Sequence, residues 1–377
     1  MRILLVTHQF SDPFSGVGTY ARSLAYGLHN NGVNVHILCP SSQCVDDGPF
    51  EFTGTRELTG WNSHARWIHA SRIFAQSMRR IGPCDVIHFL DARECLFRPR
   101  TTVPFVGTVH DYYFARPLLY WKRRSFFPDW LKRFAYSCVV RVLEPLALRR
   151  CHHLIMNSGA TADEISSAYA ISRNMMSTVY IGLDREVEQL STTRSRKRPA
   201  ILFVGGNPYR KGLPRLLKAM SDVNREIPAE LWIVGSTLTP YLKRMVVSLG
   251  IESMVSVHPH VDRHDLSDLY AGATCLAIPG LTEAFGLVFL EAFAHGCPVI
   301  GPRHGGSSEI IHDGINGFLV DSDNDIDLTQ KLFRILREPG LTEKFSAQGR
   351  KALESFTAEC MVQKTMAIYT RAISGNL

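Results

Sequence analysis

Residues 1–39 read MRILLVTHQFSDPFSGVGTYARSLAYGLHNNGVNVHILC, and the order of patterns in this stretch decides the fold. Ile3 to Thr7 and Val33 to Cys39 are short apolar runs rich in Val, Ile and Leu, as suits strands buried on both faces. Between them Val17, Tyr20, Ala21, Leu24 and Leu28 recur at the spacing of one helix face, and Gly32 supplies the stop. Strand, helix, strand in that order requires a crossover, so the pattern predicts a parallel sheet. The opening run meets His8 and Gln9 too soon for the apolar core of a signal peptide and reads as a buried strand.

The alternation continues along the chain. Asp85 to Leu90, Val103 to Val109, His153 to Asn157 and Ser177 to Ile181 read as further strands of the first half. The polar, basic stretch Ser191 to Pro199, STTRSRKRP, has no periodicity and reads as a linker. A second series follows, with strands expected at Ile201 to Val204, Leu231 to Val234, Val255 to His258, Thr274 to Ile278, Pro298 to Ile300 and Gly317 to Val320. Helices are expected around Leu213 to Ile227, Leu242 to Leu249, Leu266 to Ala271 and Leu287 to Ala294. The expectation is therefore α/β, with two doubly wound Rossmann-like parallel-sheet domains at 1–190 and 200–357 joined by a linker at 191–199. Each would hold its ligand at the carboxyl ends of its strands. The helical stretch from Ala358 to Ala372 lies beyond the second domain, and residues 358–377 are expected to pack back on the first. A length of 377 residues suits two domains, and 45% hydrophobic usage excludes a largely disordered chain.

Nine cysteines, odd in number and without a CxxC pair, read as reduced thiols rather than a disulfide frame or zinc site, which points to the cytoplasm. No stretch reaches the roughly 18 apolar residues of a membrane span. The formal charge of +7 favours anionic partners without marking a nucleic-acid binder. Between Arg116 and Arg150, Lys122, Arg123, Arg124, Lys132, Arg133, Arg141 and Arg149 interleave with Trp121, Phe126, Phe127, Trp130, Phe134 and Tyr136. Two readings of 116–150 stand side by side: a surface that sits on anionic lipid headgroups at the inner face of the membrane, and ordinary helices with solvated cations opposite a core face.

Two segments of the second half carry chemistry. Glu283-Ala-Phe-Gly-Leu-Val-Phe-Leu-Glu291 follows a strand, and a helix beginning near Phe285 would aim its amino end into the crevice, a ready site for a diphosphate or sugar oxygens. Glu283 and Glu291 are then about 12 Å apart, so they address opposite ends of a long ligand rather than acting as one acid–base pair. Phe203-Val-Gly-Gly-Asn-Pro-Tyr-Arg-Lys-Gly212 is a strand entering a glycine-rich turn with two cations. Arg210 and Lys211, after Gly205, would offset the charge that builds on a departing diphosphate.

Together with Gly305-Gly306 and Glu309-Ile-Ile, the E-x7-E pattern resembles the retaining GT-B glycosyltransferases of glycosyltransferase family 4. The resemblance implies two domains facing a central cleft, with an acceptor-binding first domain and a nucleotide-sugar-binding second. It implies that Glu283 contacts hydroxyls of the donor sugar, that the amides of the segment Ala284, Phe285, Gly286 and Leu287 hold sugar and phosphate, and that Glu291 accepts from the ribose. Many members carry an Arg where this chain has Gly206, which places more of the charge on Arg210; the Arg-Lys-Gly triplet matches.

In the first half, Ser15-Gly-Val-Gly-Thr19 opens the first helix. By the same resemblance the amides of Gly16, Val17 and Gly18 approach acceptor and donor phosphate, and His110, at the strand end Val109-His110-Asp111, positions the transferred sugar. Asn157-Ser158 reads first as a helix cap and second as an acceptor contact. His260, beside Pro259, either stacks on the nucleobase or packs locally. Asp321-Ser-Asp323 reads as a turn with capping residues, and no metal or other cofactor is expected.

The whole reading is a retaining, metal-independent transferase. It would move sugar from a UDP-, GDP- or ADP-sugar to a carbohydrate or lipid-linked acceptor, and work in the cytoplasm or peripherally at the membrane. A nucleotide-sugar epimerase or hydrolase, which would turn over donor alone, and a non-catalytic sugar-nucleotide-binding protein fit the same architecture.

Overall fold

The computed structural model describes residues 1–11, 15–44, 48–58, 66–115, 118, 130–183 and 198–376. The chain forms two compact units, Met1–Gly182 with Thr357–Leu377, and Leu183–Phe356.

Unit 1 is built on seven parallel strands: β1 (Arg2–Val6), β2 (Asn34–Pro40), β3 (Glu51–Thr55), β4 (Val86–Phe89), β5 (Phe105–Val109), β6 (His153–Met156) and β7 (Met176–Thr178), in the order β3-β2-β1-β4-β5-β6-β7. β1 sits between β2 and β4, with Ile3 opposite both Val35 and Val86. Burial on both faces explains the unbroken apolar runs: Ile3, Leu5, Ile37, Phe89, Phe105 and Leu154 have no exposed surface. Helix Gly16–Asn30 covers the sheet through Tyr20, Leu24 and Leu28, is capped by Ser15, and is followed by left-handed Gly32. Helix Ala358–Ile373 packs against it where Gly27 leaves room for Val362. The Tyr369 hydroxyl reaches His88 Nδ1 on β4 at 2.6 Å, while His88 Nε2 meets Thr108 Oγ1 at 2.8 Å.

Two strands differ from expectation. β3 escapes the hydrophobic pattern because it is an edge strand with a largely uncovered face; its Gly54 lies where a Cβ would come within 2.7 Å of Ser41 Oγ. β7 pairs with β6 over three residues only, so Val179 and Ile181 are buried beyond the ladder rather than within it. Of the basic aromatic segment, 116–117 and 119–129 lie outside the described residues, as do 191–197 of the expected linker. The described remainder forms helix Trp130–Leu148, which buries Ser137, Val140, Glu144 and Leu148 and exposes Leu131, Val139, Val142 and Leu146. Among the described residues no helix is long and apolar enough to cross a membrane.

Unit 2 carries six parallel strands: β8 (Ala200–Val204), β9 (Glu230–Val234), β10 (Val255–His258), β11 (Cys275–Ala277), β12 (Val299–Pro302) and β13 (Gly317–Val320), in the order β10-β9-β8-β11-β12-β13. Every strand expected in this half is present. The order reverses between β8 and β11, and ligands of such sheets bind at the carboxyl ends of the strands flanking that reversal. Buried Arg215, on helix Leu213–Asn224, braces this edge: it donates to the carbonyls of Pro279, Asp321 and Asn324 and pairs with Asp325 at 2.7 Å.

Candidate active site

At the reversal point of unit 2, the turn after β8 meets the loop after β11. Gly205 adopts φ +140°, which an L side chain rarely takes, and the absent Cβ makes room for the Lys211 side chain to lie across the backbone. Gly280 permits the same intimacy on the other side, since a Cβ there would stand 2.6 Å from the Arg210 carbonyl oxygen. Leu281 N–H donates to that carbonyl at 3.3 Å. The outcome is a cluster: Arg210 Nη1 is 3.3 Å and Lys211 Nζ 3.5 Å from Glu283 Oε2. All three side chains are at most 19% exposed, so their charges act in a poorly hydrated place. Burial pushes the Lys211 ammonium below its usual range, against the pull of Glu283 and, more weakly, Glu291.

Glu283 lies in the loop, not on the helix. Its backbone bridges to Gly305 and donates to His304 O, while its carbonyl accepts from Gly306 N–H at 2.7 Å. The helix starts later than Phe285, at Leu287, because left-handed Gly286 (φ +106°) turns the chain into it; a Cβ on Gly286 would lie 2.5 Å from the Phe289 ring. Ala284 and Phe285 are buried, and the Phe285 ring meets Phe356 edge-on. Glu291, one turn into the helix, accepts from the Tyr270 hydroxyl at 2.8 Å, which sets its carboxylate. His260 is exposed beyond β10 and makes no hydrogen bond or ion pair among the described residues. Asp321 to Asp323 form a turn as read, with Asn324 supplying the helix cap.

Unit 1 gathers its polar groups at the matching edge. Gly16, Val17 and Gly18 form the first turn of their helix, with the Gly18 amide donating to Ser15 Oγ. His110, after β5, donates Nε2–H to Leu90 O at 2.6 Å; a carbonyl can only accept, so the proton sits on Nε2 and Nδ1 is left as the acceptor. Burial lowers its pKa and keeps the ring neutral. Ser158 caps its helix by accepting from Thr161 N–H, whereas Asn157 donates to His110 O at 2.7 Å and leaves its buried Oδ1 without a partner among the described residues. The capping role read for the pair therefore belongs to Ser158 alone.

A network that sequence reasoning missed lies beside His110. His8, after β1, meets Glu94 Oε1 at 2.5 Å, and Arg93 grips Asp91 in a fork while standing 3.7 Å from Asp111. Burial pushes Glu94 up to about 7 despite His8. Burial also opposes ionisation of Asp91, but Arg93 outweighs it and holds Asp91 down at about 2. The signal was the charged run Asp91-Ala-Arg-Glu94 directly after a buried strand.

Two family models match adjoining parts of the chain, Glycosyltransferase Family 4 over residues 14–187 and Glycosyl transferases group 1 over 184–352. The chain is similar to the MMP alpha-(1->4)-mannosyltransferase of Mycolicibacterium hassiacum, at 26% identity over 99% of both chains. Its fold is similar to that of sucrose-phosphate synthase from Thermosynechococcus elongatus (TM-score 0.76, 18% identity, 99% of both chains). It is also similar to Anabaena HepE in complex with UDP and glucose (TM-score 0.75, 17% identity, 98% of this chain and 99% of that one). A carboxylate held by two cations at the reversal point of one sheet, a histidine-bearing edge on the other, and family models that together span residues 14–352 lead to one conclusion: the chain belongs to the group 1 glycosyltransferases of the GT-B fold and is an enzyme.

Proposed function

We propose that the transferred sugar comes from a nucleoside diphosphate sugar bound by unit 2, and that transfer is retaining and needs no metal. The observation that carries this reading is the pair of cations, Arg210 and Lys211, meeting on Glu283 at the carboxyl ends of β8 and β11. A diphosphate entering there takes over the cations and releases the Glu283 carboxylate to accept from hydroxyls of the sugar. Each close charge pair is worth about 4 kcal/mol at an effective dielectric near 20, before desolvation is subtracted, so two cations can offset the charge on the leaving group. The bound UDP and glucose of the HepE complex support this donor class. Glu291, steadied by Tyr270, takes the ribose hydroxyls.

On unit 1, neutral His110 positions a sugar hydroxyl with its ring or backbone, and Asn157 Oδ1 accepts from the acceptor. The leaving phosphate, rather than His110, takes the acceptor proton. For a lipid-linked acceptor the supporting feature is helix Trp130–Leu148, whose exposed Leu131, Val139, Val142 and Leu146 share its surface with Lys132 and Arg141.

The test is a thermal-shift panel of UDP-, GDP- and ADP-sugars in chelator. One donor at 100 times its Kd stabilises the protein by about 2.7 kcal/mol, and adding acceptor then releases the nucleoside diphosphate. Stabilisation by none of them, or release that requires added divalent metal, contradicts the reading.

A further inference from the structure

At the other end of its sheet from His110, unit 1 holds a cavity of about 460 Å³ lined by Arg72, Arg79, Arg98 and Arg100 with Phe97 and Gln76. Arg72 stands on helix Arg66–Ser77, Arg79 in the turn after it, and Arg98 and Arg100 on the stretch leading into β5. The cavity therefore sits toward the amino end of the sheet. Arg98 stacks over Phe105, the first residue of β5, at 4.6 Å. His110 follows the last residue, so the length of the strand, about 13 Å for five residues, separates the two.

Among the described residues no Asp or Glu lines the cavity, and none forms an ion pair with Arg72, Arg79, Arg98 or Arg100. Four guanidinium groups around one space repel each other, and exposed arginines in most proteins relax toward carboxylates or outward into water. Here two are instead held in place by rings: Arg72 lies 5.4 Å from the Phe97 centroid, and Arg98 is sandwiched onto Phe105. Arg98, one of the lining residues, has its Nη1 buried and without a hydrogen-bond partner among the described residues. His152 lies parallel to the Phe105 ring at 5.9 Å, and burial and the Arg98 charge lower its pKa. Four guanidinium groups lining one space, two of them held against rings, offer the charge and the planar donor forks that recognise a phosphate group.

We propose that this cavity is a second anion site, separate from the donor site, that binds a phosphate group carried by a soluble phosphorylated molecule or by a membrane lipid. The test uses the full-length chain with Arg210→Gln and Lys211→Gln, so that unit 2 is silent toward phosphates. Calorimetric titration with inorganic pyrophosphate in low salt and co-sedimentation with phosphatidylcholine vesicles, with or without phosphatidic acid, separate the two sources. Pyrophosphate binding that drops roughly tenfold or more on adding Arg72→Gln and Arg79→Gln, both on the exposed lip, supports the site with a soluble ligand. Pelleting that needs phosphatidic acid and is lost in the same variant supports it with a lipid headgroup. Arg98→Gln, checked for native circular dichroism, must act in the same direction. Failure to bind either probe, or binding unchanged by these substitutions, overturns the proposal. A normal result here with a failed donor panel, or the reverse, tells the two sites apart.

Discussion

Lys211 is a lysine held short of its usual basicity by burial, next to a carboxylate that only partly compensates. In the free protein its folded pKa lies below the unfolded value, so between the two the unfolded chain binds more protons and stability rises with pH. A bound diphosphate favours the charged form and raises that pKa again. Nucleoside diphosphate affinity should therefore be flat near neutrality and fall as pH climbs through the free-state value, with proton uptake on binding in the same window. Titrations from pH 7 to 10 check this, and Lys211→Arg should remove the fall. Loss of the Glu283 carboxylate in Glu283→Gln should lower kcat by about 10²- to 10³-fold without lowering nucleoside diphosphate affinity, since the cations remain. Steady-state kinetics beside diphosphate titration separate the two effects.

Elements place these side chains through glycines and through one long-range tie. Gly286 must be left-handed to start the helix where Glu283 can stay in the loop. Gly286→Ala should therefore cost more in activity than in melting temperature, because the strain falls on the short turn between Glu283 and Leu287. In unit 1 the helix Ala358–Ile373 is anchored by Tyr369 on neutral His88, whose pKa burial pushes down to about 3. Tyr369→Phe leaves a buried imidazole nitrogen unmet and should destabilise by about 1–3 kcal/mol in calorimetry. The glycine turns were legible because Phe203 to Gly212 runs from a strand end through a turn to a helix cap, and Glu283 to Glu291 from a loop into a helix, each within ten residues. The His8–Glu94 pair was not, since it depends on β1 and β4 lying side by side although about eighty residues of chain separate them. No local period encodes that order. β3 was hidden for the opposite reason: an edge strand with a wet face needs little hydrophobic signal.

Over the whole molecule, two sheets of the same topology present their reversal points with different chemistry, cations around a carboxylate in unit 2 and a histidine–carboxylate network in unit 1. On that difference in charge we propose donor binding to unit 2 and acceptor binding to unit 1. The most direct test is calorimetric titration of UDP, GDP and ADP into the wild-type chain and into Arg210→Gln/Lys211→Gln. The account predicts one preferred nucleotide, bound at least a hundredfold more weakly by the variant than by the wild type, as expected when two charged partners are removed. Equal affinity in both proteins, or no binding of any of the three to a folded wild type, would contradict it.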